Sequence, residues 1–582
     1  MKDGRALVIL VWLASLFLWF RPGLVRPDGA GYLVYLPSVR MDGDLLFFDE
    51  WQQFGMIRPD GLIQHKEVTA TGHLANHWTV GSALVWFPLF AVADGVRFDF
   101  PRNGIALPYN VAVVFTSALA GLVTLLCGMR VAPADPRART IAAIGAWLGT
   151  PLLFYSLVHA TMSHAISAMA SALVFLAIRN NATAFLSGAA AGLAFAVRPQ
   201  NAPFAAVPFI LGRVPPLPYF AGLAAGALPQ LIVSQVLYGT PFGFMTGGAS
   251  KAFAPFERIR LVETLFSWYH GLVPWTPFAA LGIAGLLVMM RFPVGALRFP
   301  IPDSRHPAHP TDNAALAAVV EDGQSCPSRE EWREHADATA SRDGQDCPSS
   351  TPVKSEIASG ARRLALACLF VFITQWLING LLERSFWGAT AFGQRRFDNC
   401  TIVFLIGAAA LVQRFRVAGT IAVAAASLWT LSLFFAAQQS LDLSRYVPPR
   451  ALLGAQLSAL ANLRVGFLEA VPPPMKIRVL SMLVVFAVVV IAAVILLRKT
   501  SAAFRAVLAG TYLAAASLVL VWCGLRDRER IEAYRPLIEH NRPYAAHPAG
   551  ADFRRGLLRD ELDYLERSGR ETEAARTRRE LQ

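Results

Sequence analysis

Apolar runs separated by short polar breaks make up most of this chain. They lie near 6–20, 106–129, 140–157, 164–178, 182–197, 200–212, 216–238, 266–290, 364–382, 399–413, 417–437, 477–497 and 503–523. A membrane-spanning helix needs about 20 apolar residues, and several of these runs are shorter. The pattern predicts an all-α membrane protein, a polytopic helical bundle of about 13 spans. Three polar stretches interrupt it: a long first loop over 21–105, a Pro- and Ser-rich insert over 298–361, and a charge-mixed tail over 524–582.

One apolar segment inside the first loop, HWTVGSALVWFPLFAVADGV from His77 to Val96, decides the topology. It holds Pro88 and Asp94, and an aspartate at the centre of a span costs about 2.5–3.5 kcal/mol on insertion scales. Read as interfacial, it leaves the short basic loops on one side: Arg130/Arg137/Arg139, Arg179, Arg213, Arg291/Arg298, Arg362/Arg363, Arg414/Arg416 and Arg498/Lys499/Arg505. That is the bias of cytoplasmic loops. The N-terminus would then be cytoplasmic, held by an uncleaved anchor over 6–20, with the loop 21–105 and the tail on the other side.

The organisation expected is an N-terminal transmembrane half (1–297), a disordered polar cytoplasmic insert (298–361), further spans (362–523) and a short soluble helical tail (524–582). The insert carries a near-repeat, DGQSCPSR at 322–329 and DGQDCPSS at 343–350, and its composition suits disorder. In the tail, Leu557, Leu558, Leu562 and Leu565 recur with helical spacing.

Composition agrees with the pattern. Of 582 residues 54% are hydrophobic and 16% charged, against about 25% charged in soluble domains. A net charge of +13 is explained by arginines flanking the spans, so no nucleic-acid partner is expected. Six scattered cysteines without a CxxC pair give neither a disulfide framework nor a zinc spacing. No phosphate-cradling GxxxxGK[ST] loop occurs.

The candidate chemistry lies in the first loop and in polar loops on its side. Asp28 follows the first apolar run within a few residues, ahead of Tyr32, Tyr35, Leu36 and Val39 at helical spacing. An aspartate there is either a helix N-cap or a general base held at the mouth of a membrane cavity. Asp49 and Glu50 follow in the same loop, placed to orient an acceptor, to hold a divalent metal ion through oxygen ligands, or simply to be solvated. Asp42 and Asp44, in RMDGDL, read as a turn.

Arginines opposing the positive-inside bias require a reason, and binding phosphate through a planar fork is one. Arg384, Arg395 and Arg396 lie in LLERSFWGATAFGQRRFDN (381–399), and Arg198 closes another apolar run. Tyr32, His73, His77, His164 and His270 are candidate cavity-lining residues on the same side; for each histidine a packing role is the alternative.

An aspartate just after the first span, interfacial helices in a long first external loop and a soluble external C-terminus resemble the GT-C glycosyltransferases. Among them, the protein mannosyltransferase and aminoarabinose-transferase group (glycosyltransferase family 39-like) is most similar. The resemblance implies a polyprenyl-phosphate-linked sugar donor, inverting transfer to a lipid, glycan or protein acceptor, and a bacterial inner membrane with the site facing the periplasm. It assigns the catalytic acidic position to Asp28; members often carry a second acid beside it, where this chain reads DGAGY. Two other classes compete. A transporter or lipid flippase would show similar halves with broken helices and mid-membrane charges, and a non-catalytic scaffold needs none of these features.

Overall fold

The computed structural model describes residues 4–23, 27–55, 68–96, 98–179, 183–212, 214–246, 256, 258–292, 350–383, 385–388, 391–439, 441–463, 466–546 and 549–581. Most of the expected insert falls outside them. Among the described residues every regular element is helical, apart from one isolated bridge between Val68 and Leu74.

The chain is an all-α membrane protein. Six helical stretches are long and apolar enough to cross a bilayer: Leu107–Val131, Pro216–Tyr238, Gly360–Leu381, Arg395–Gln439, Pro473–Arg498 and Ala502–His540. Five shorter apolar helices stand beside them: Arg5–Trp19, Gly81–Gly95, His164–Arg179, Ala184–Val197 and Pro277–Arg291.

Several expected spans are broken. The run 140–157 divides into Pro136–Gly149 and Leu152–Leu157 at Thr150 and Pro151. The run 200–212 is a 3-10 stretch, Pro199–Ala206, followed by the short helix Val207–Leu211. Proline placement explains both, since Pro cannot donate to the preceding turn. The runs 399–413 and 417–437 double back on each other at Phe415 and Arg416, where the backbone leaves helical angles. Gly419 then lies against Leu411 and Val412. The helix Ser350–Leu381 begins inside the stretch expected to be disordered.

Two faces follow from the contacts. Arg130 and Arg139 lie near Arg179, the Asp135 amide donates to Gln413 (2.7 Å), and the Arg414 guanidinium lies 5.4 Å from the Phe292 ring centre. The loops carrying Arg130 and Arg139, Arg179, Arg291 and Arg414 therefore share one face. Helices leaving it carry side-chain caps: Asp135 accepts from the Ala138 amide, Thr183 from Leu186 and Ser501 from Phe504. Asp28 lies at the opposite end, here called the Asp28 face.

That face is recessed. Ser117, eight residues into Leu107–Val131 from Tyr109, donates to the Ala160 carbonyl (2.6 Å). The turn holding Ala160 thus lies about 12 Å below the helix's opening at about 1.5 Å per residue. His164–Arg179 and Ala184–Val197, of 16 and 14 residues, rise only about 21–24 Å from the basic face. Leu107–Val131, Pro473–Arg498 and Ala502–Arg530, of 25, 26 and 29 residues, rise about 37–44 Å. Short helices form a floor and long ones a wall.

The segment expected to be interfacial, Gly81–Gly95, lines that wall. Gly81 abuts Ala196 and Val197 at the floor, Trp86 donates to Ser117 (3.0 Å), and Asp94 accepts from Tyr109 at the rim (3.1 Å). Both its ends stay on the Asp28 side of the floor.

Close helix packing fixes the floor. Gly188 and Gly192 face Gly222 and Gly226 across Ala184–Val197 and Pro216–Tyr238, where any Cβ would strike the opposing carbonyls. Gly282 and Gly285 meet Gly407 in the same way. In lipid, where apolar burial no longer drives association, such small-residue contacts hold helices together.

Candidate active site

Asp28 lies in the first turn of the helix Pro27–Leu33, with its carboxylate about two-fifths exposed. Arg395 Nη1 donates to its Oδ2 at 3.1 Å. The two residues lie 367 positions apart in the sequence. Gly29 and Gly31 allow the approach, because a Cβ at Gly29 would collide with the Thr161 hydroxyl and one at Gly31 with the Trp78 ring.

Arg395 opens the 3-10 helix Arg395–Cys400 after Gly393, whose φ is 61°. Its guanidinium also lies 3.8 Å from the Met162 sulfur and close to Tyr32, which sets its ring edge-on to Trp78. Arg396 turns the other way. Its Nη2 pairs with Glu383 (2.9 Å) and donates to the Ser385 hydroxyl (3.0 Å), both inside the protein. Of the adjacent arginines, Arg396 is neutralised by Glu383, and Arg395 is the one that meets Asp28. Arg384 lies outside the described residues.

Behind them sits a buried network. Arg198 Nη1 donates to His164 Nδ1 (2.8 Å). Asp398 Oδ2 lies 3.4 Å from the same nitrogen. With Nδ1 accepting from arginine it has no proton to give Asp398, and both Asp398 oxygens are without a hydrogen-bond partner among the described residues. Asp398 is 2% exposed and faces the charges of Arg198 and Arg395. Asn399 donates to Asn201 (2.8 Å) and Asn201 to Ser167 (2.9 Å), tying the helices at the floor. Tyr155 packs on His164 (ring centres 4.3 Å apart), and its hydroxyl accepts from the Phe392 amide (3.0 Å). Asp398 and Glu383 were legible in LLERSFWGATAFGQRRFDN: acids beside arginines at the edge of an apolar run signal buried pairing.

Three guanidiniums (Arg198, Arg395, Arg396) thus face three carboxylates (Asp28, Glu383, Asp398). A phosphate entering this site would exchange with one of those acids. Asp28 is the accessible one.

The other first-loop acids go elsewhere. Asp49 accepts from the Tyr534 hydroxyl (2.8 Å), and Phe48 stacks on Tyr534. Glu50 is 2% exposed; burial, reinforced by Asp42 and Asp44, pushes its carboxyl well above the usual range. Asp44 pairs with Arg530 (2.9 Å), and Gly43 makes the turn with φ 67°. His73 Nε2 and the Leu45 amide both reach Asp527, at 3.1 and 3.2 Å. This cluster bolts the first loop to the end of Ala502–Arg530. Among the described residues no group of three or more His, Cys, Asp or Glu side chains is arranged to hold a metal ion.

His77 stacks on Trp78 (3.8 Å). His270, buried at φ 57°, donates from Nε2 to the Leu443 carbonyl (3.1 Å) and packs on Trp275. Of the candidate histidines, His164 bonds to Arg198 in the network beside Arg395, and His270 lies within electrostatic reach of Arg395.

The tail does not stand apart. Tyr564, in Ala549–Arg567, enters a ring cluster with Tyr269, Phe386 and Tyr446 at 5.3–5.6 Å, and Trp387 stacks on Tyr269. Arg260 pairs with Glu561 and Glu573 (both 2.8 Å), and Arg258 with Glu580 (2.8 Å). The tail therefore clamps the segment holding Ser385, the partner of Arg396.

Comparison with protein-family models, curated proteins and solved structures finds no match to this chain.

Proposed function

We propose that the chain is a membrane glycosyltransferase of GT-C type, with about 13 membrane passages and its site on the outer face of a bacterial inner membrane. It moves a sugar from a polyprenyl-phosphate-linked donor to a hydroxyl or amine of a lipid, glycan or protein acceptor. The observation that carries this reading is the 3.1 Å pairing of an accessible carboxylate, Asp28, with Arg395 on a recessed floor ringed by long helices. A carboxylate that can meet solvent suits a base, and a guanidinium beside it suits a phosphate. A recess below the helix ends suits a substrate whose polyprenyl tail stays in the bilayer.

The chemistry follows from these positions. Donor phosphate takes the Arg395 fork and releases Asp28. Asp28 then accepts the proton from the acceptor O–H or N–H as that atom bonds to the anomeric carbon. The bond from that carbon to the phosphate oxygen breaks, and the departing electron pair stays on polyprenyl phosphate beside Arg395. Arg198 and Asp398 hold the floor, and Arg396 holds its loop through Glu383 and Ser385.

The test is binding of polyprenyl phosphate to the purified protein in nanodiscs, alongside sugar release from polyprenyl-phosphate-linked donors. Charge-assisted hydrogen bonds contribute about 1.5–3 kcal/mol, so Arg395→Gln should weaken binding about 10- to 100-fold. Wild-type protein that binds polyprenyl phosphate no better than the uncharged polyprenol would overturn the proposal.

A further inference from the structure

A second site is built at the rim of the recess. Asp94 is fully buried and gathers three partners: Arg40 (2.7 Å), Arg102 (2.9 Å) and the Tyr109 hydroxyl (3.1 Å). The carboxylate is enclosed while the guanidiniums are not, at 45% and 65% side-chain exposure. Each arginine is therefore fixed at one edge and open at the other. Beside them lies a pocket of about 280 Å³ lined by Val96, Phe98, Phe100, Pro101, Arg102 and Pro108 among others.

A third arginine completes the rim. Arg478, in the first turns of Pro473–Arg498, places its guanidinium 5.4 Å from the centre of the Phe100 ring. Among the described residues it pairs with Asp99, which lies at 4.0 Å and is 99% exposed; such a pair is weak and easily exchanged. The helix below it faces outward: Ile477, Val484, Val488 and Ile491 are 55–81% exposed. That apolar stripe needs hydrocarbon chains against it.

The depth agrees. Arg478 lies eight residues above Phe486, which packs on Phe115, and Tyr109 lies six residues above Phe115. At about 1.5 Å per residue, Arg478 and Tyr109 come within about 3 Å of one level. Three arginines thus stand near the first turns of an apolar, outward-facing helix long enough to cross a bilayer.

We infer that Arg40, Arg102 and Arg478 form a binding site for the phosphate headgroup of an anionic bilayer phospholipid, whose acyl chains lie along Pro473–Arg498. Phosphate oxygens take the open guanidinium edges, and the aromatic pocket receives the glycerol end. This site is separate from the donor site at Arg395 and does not depend on the chemistry proposed there.

The experiment is native mass spectrometry of the full chain in detergent micelles, titrated with phosphatidylglycerol, phosphatidylcholine or inorganic phosphate. Wild type should retain phosphatidylglycerol at least about tenfold better than phosphatidylcholine. The triple variant Arg40→Gln/Arg102→Gln/Arg478→Gln should lose that preference. Gln keeps a polar side chain with two N–H donors and removes the charge and the fork; Arg478→Gln alone, whose arginine does not touch Asp94, should still reduce retention severalfold with unchanged thermal unfolding. Equal retention of phosphatidylglycerol by wild type and both variants would overturn the inference. Displacement of the lipid by equimolar inorganic phosphate would also overturn it, in favour of a soluble phosphate ligand.

Discussion

Replacing Asp28 by asparagine should move two measurements in opposite directions. Asp28 is both the proposed base and the anion that occupies Arg395, through one contact of 3.1 Å between groups 39% and 13% exposed. Solvent reaches the acid, so the pair contributes about 0.2–1 kcal/mol rather than the full Coulomb energy of close charges. An asparagine no longer competes for the guanidinium, and polyprenyl phosphate should bind up to about fivefold tighter. Stability should fall by no more than about 1 kcal/mol. Turnover should fall about 10²- to 10⁴-fold, the usual contribution of a positioned base, which is about 3–5 kcal/mol on the barrier. Equilibrium binding of polyprenyl phosphate and single-turnover sugar transfer, both in nanodiscs, give the two numbers. Weaker phosphate binding in Asp28→Asn would refute the competition for Arg395, and turnover within about twofold of wild type would remove Asp28 from the chemistry.

Three further expectations concern the scaffold. Tyr564→Ala removes a buried ring from the cluster that docks the tail, a loss of about 3 kcal/mol or more; amide exchange across 549–581 should speed up about 10²-fold, and unchanged exchange would show that the ion pairs alone hold the tail. Burial raises the Glu50 carboxyl well above its ordinary range, so the folded protein holds that proton more tightly than the unfolded chain does. Stability from this group is present at low pH and falls as pH rises above about 4.3. Glu50→Gln should flatten that decline in denaturation experiments; a slope identical to wild type would locate the dependence elsewhere. Gly226→Val places side-chain carbons against the Ala189 carbonyl, where backbone rather than a flexible side chain must yield. A cost at or above about 1–3 kcal/mol, read as lower thermal stability, is expected, and wild-type stability would refute the backbone contact.

The helical class, the membrane setting and the two-sided distribution of arginines follow from the sequence, because burial in lipid requires apolar runs and satisfied backbones whatever the packing. Asp28 could be singled out for the same reason: a carboxylate beside an apolar anchor is costly unless it is used. The chain order could not reveal that helices of 14–16 residues stop short of helices of 25–29, since apolar runs look alike until prolines and tight turns set where each ends. Nor could it separate the two adjacent arginines. Arg395 meets Asp28 while Arg396 meets Glu383, because successive residues of a 3-10 turn point in different directions. Asp49, Glu50 and His73 read as candidate site residues, yet the end of Ala502–Arg530 and the turn after it bring Tyr534 to Asp49 and Asp527 to His73. Charge and polarity are local properties, written in each residue. Asp28 finds its opposite charge 367 positions away and Arg396 finds its own within the same loop, and only the folded bundle decides which.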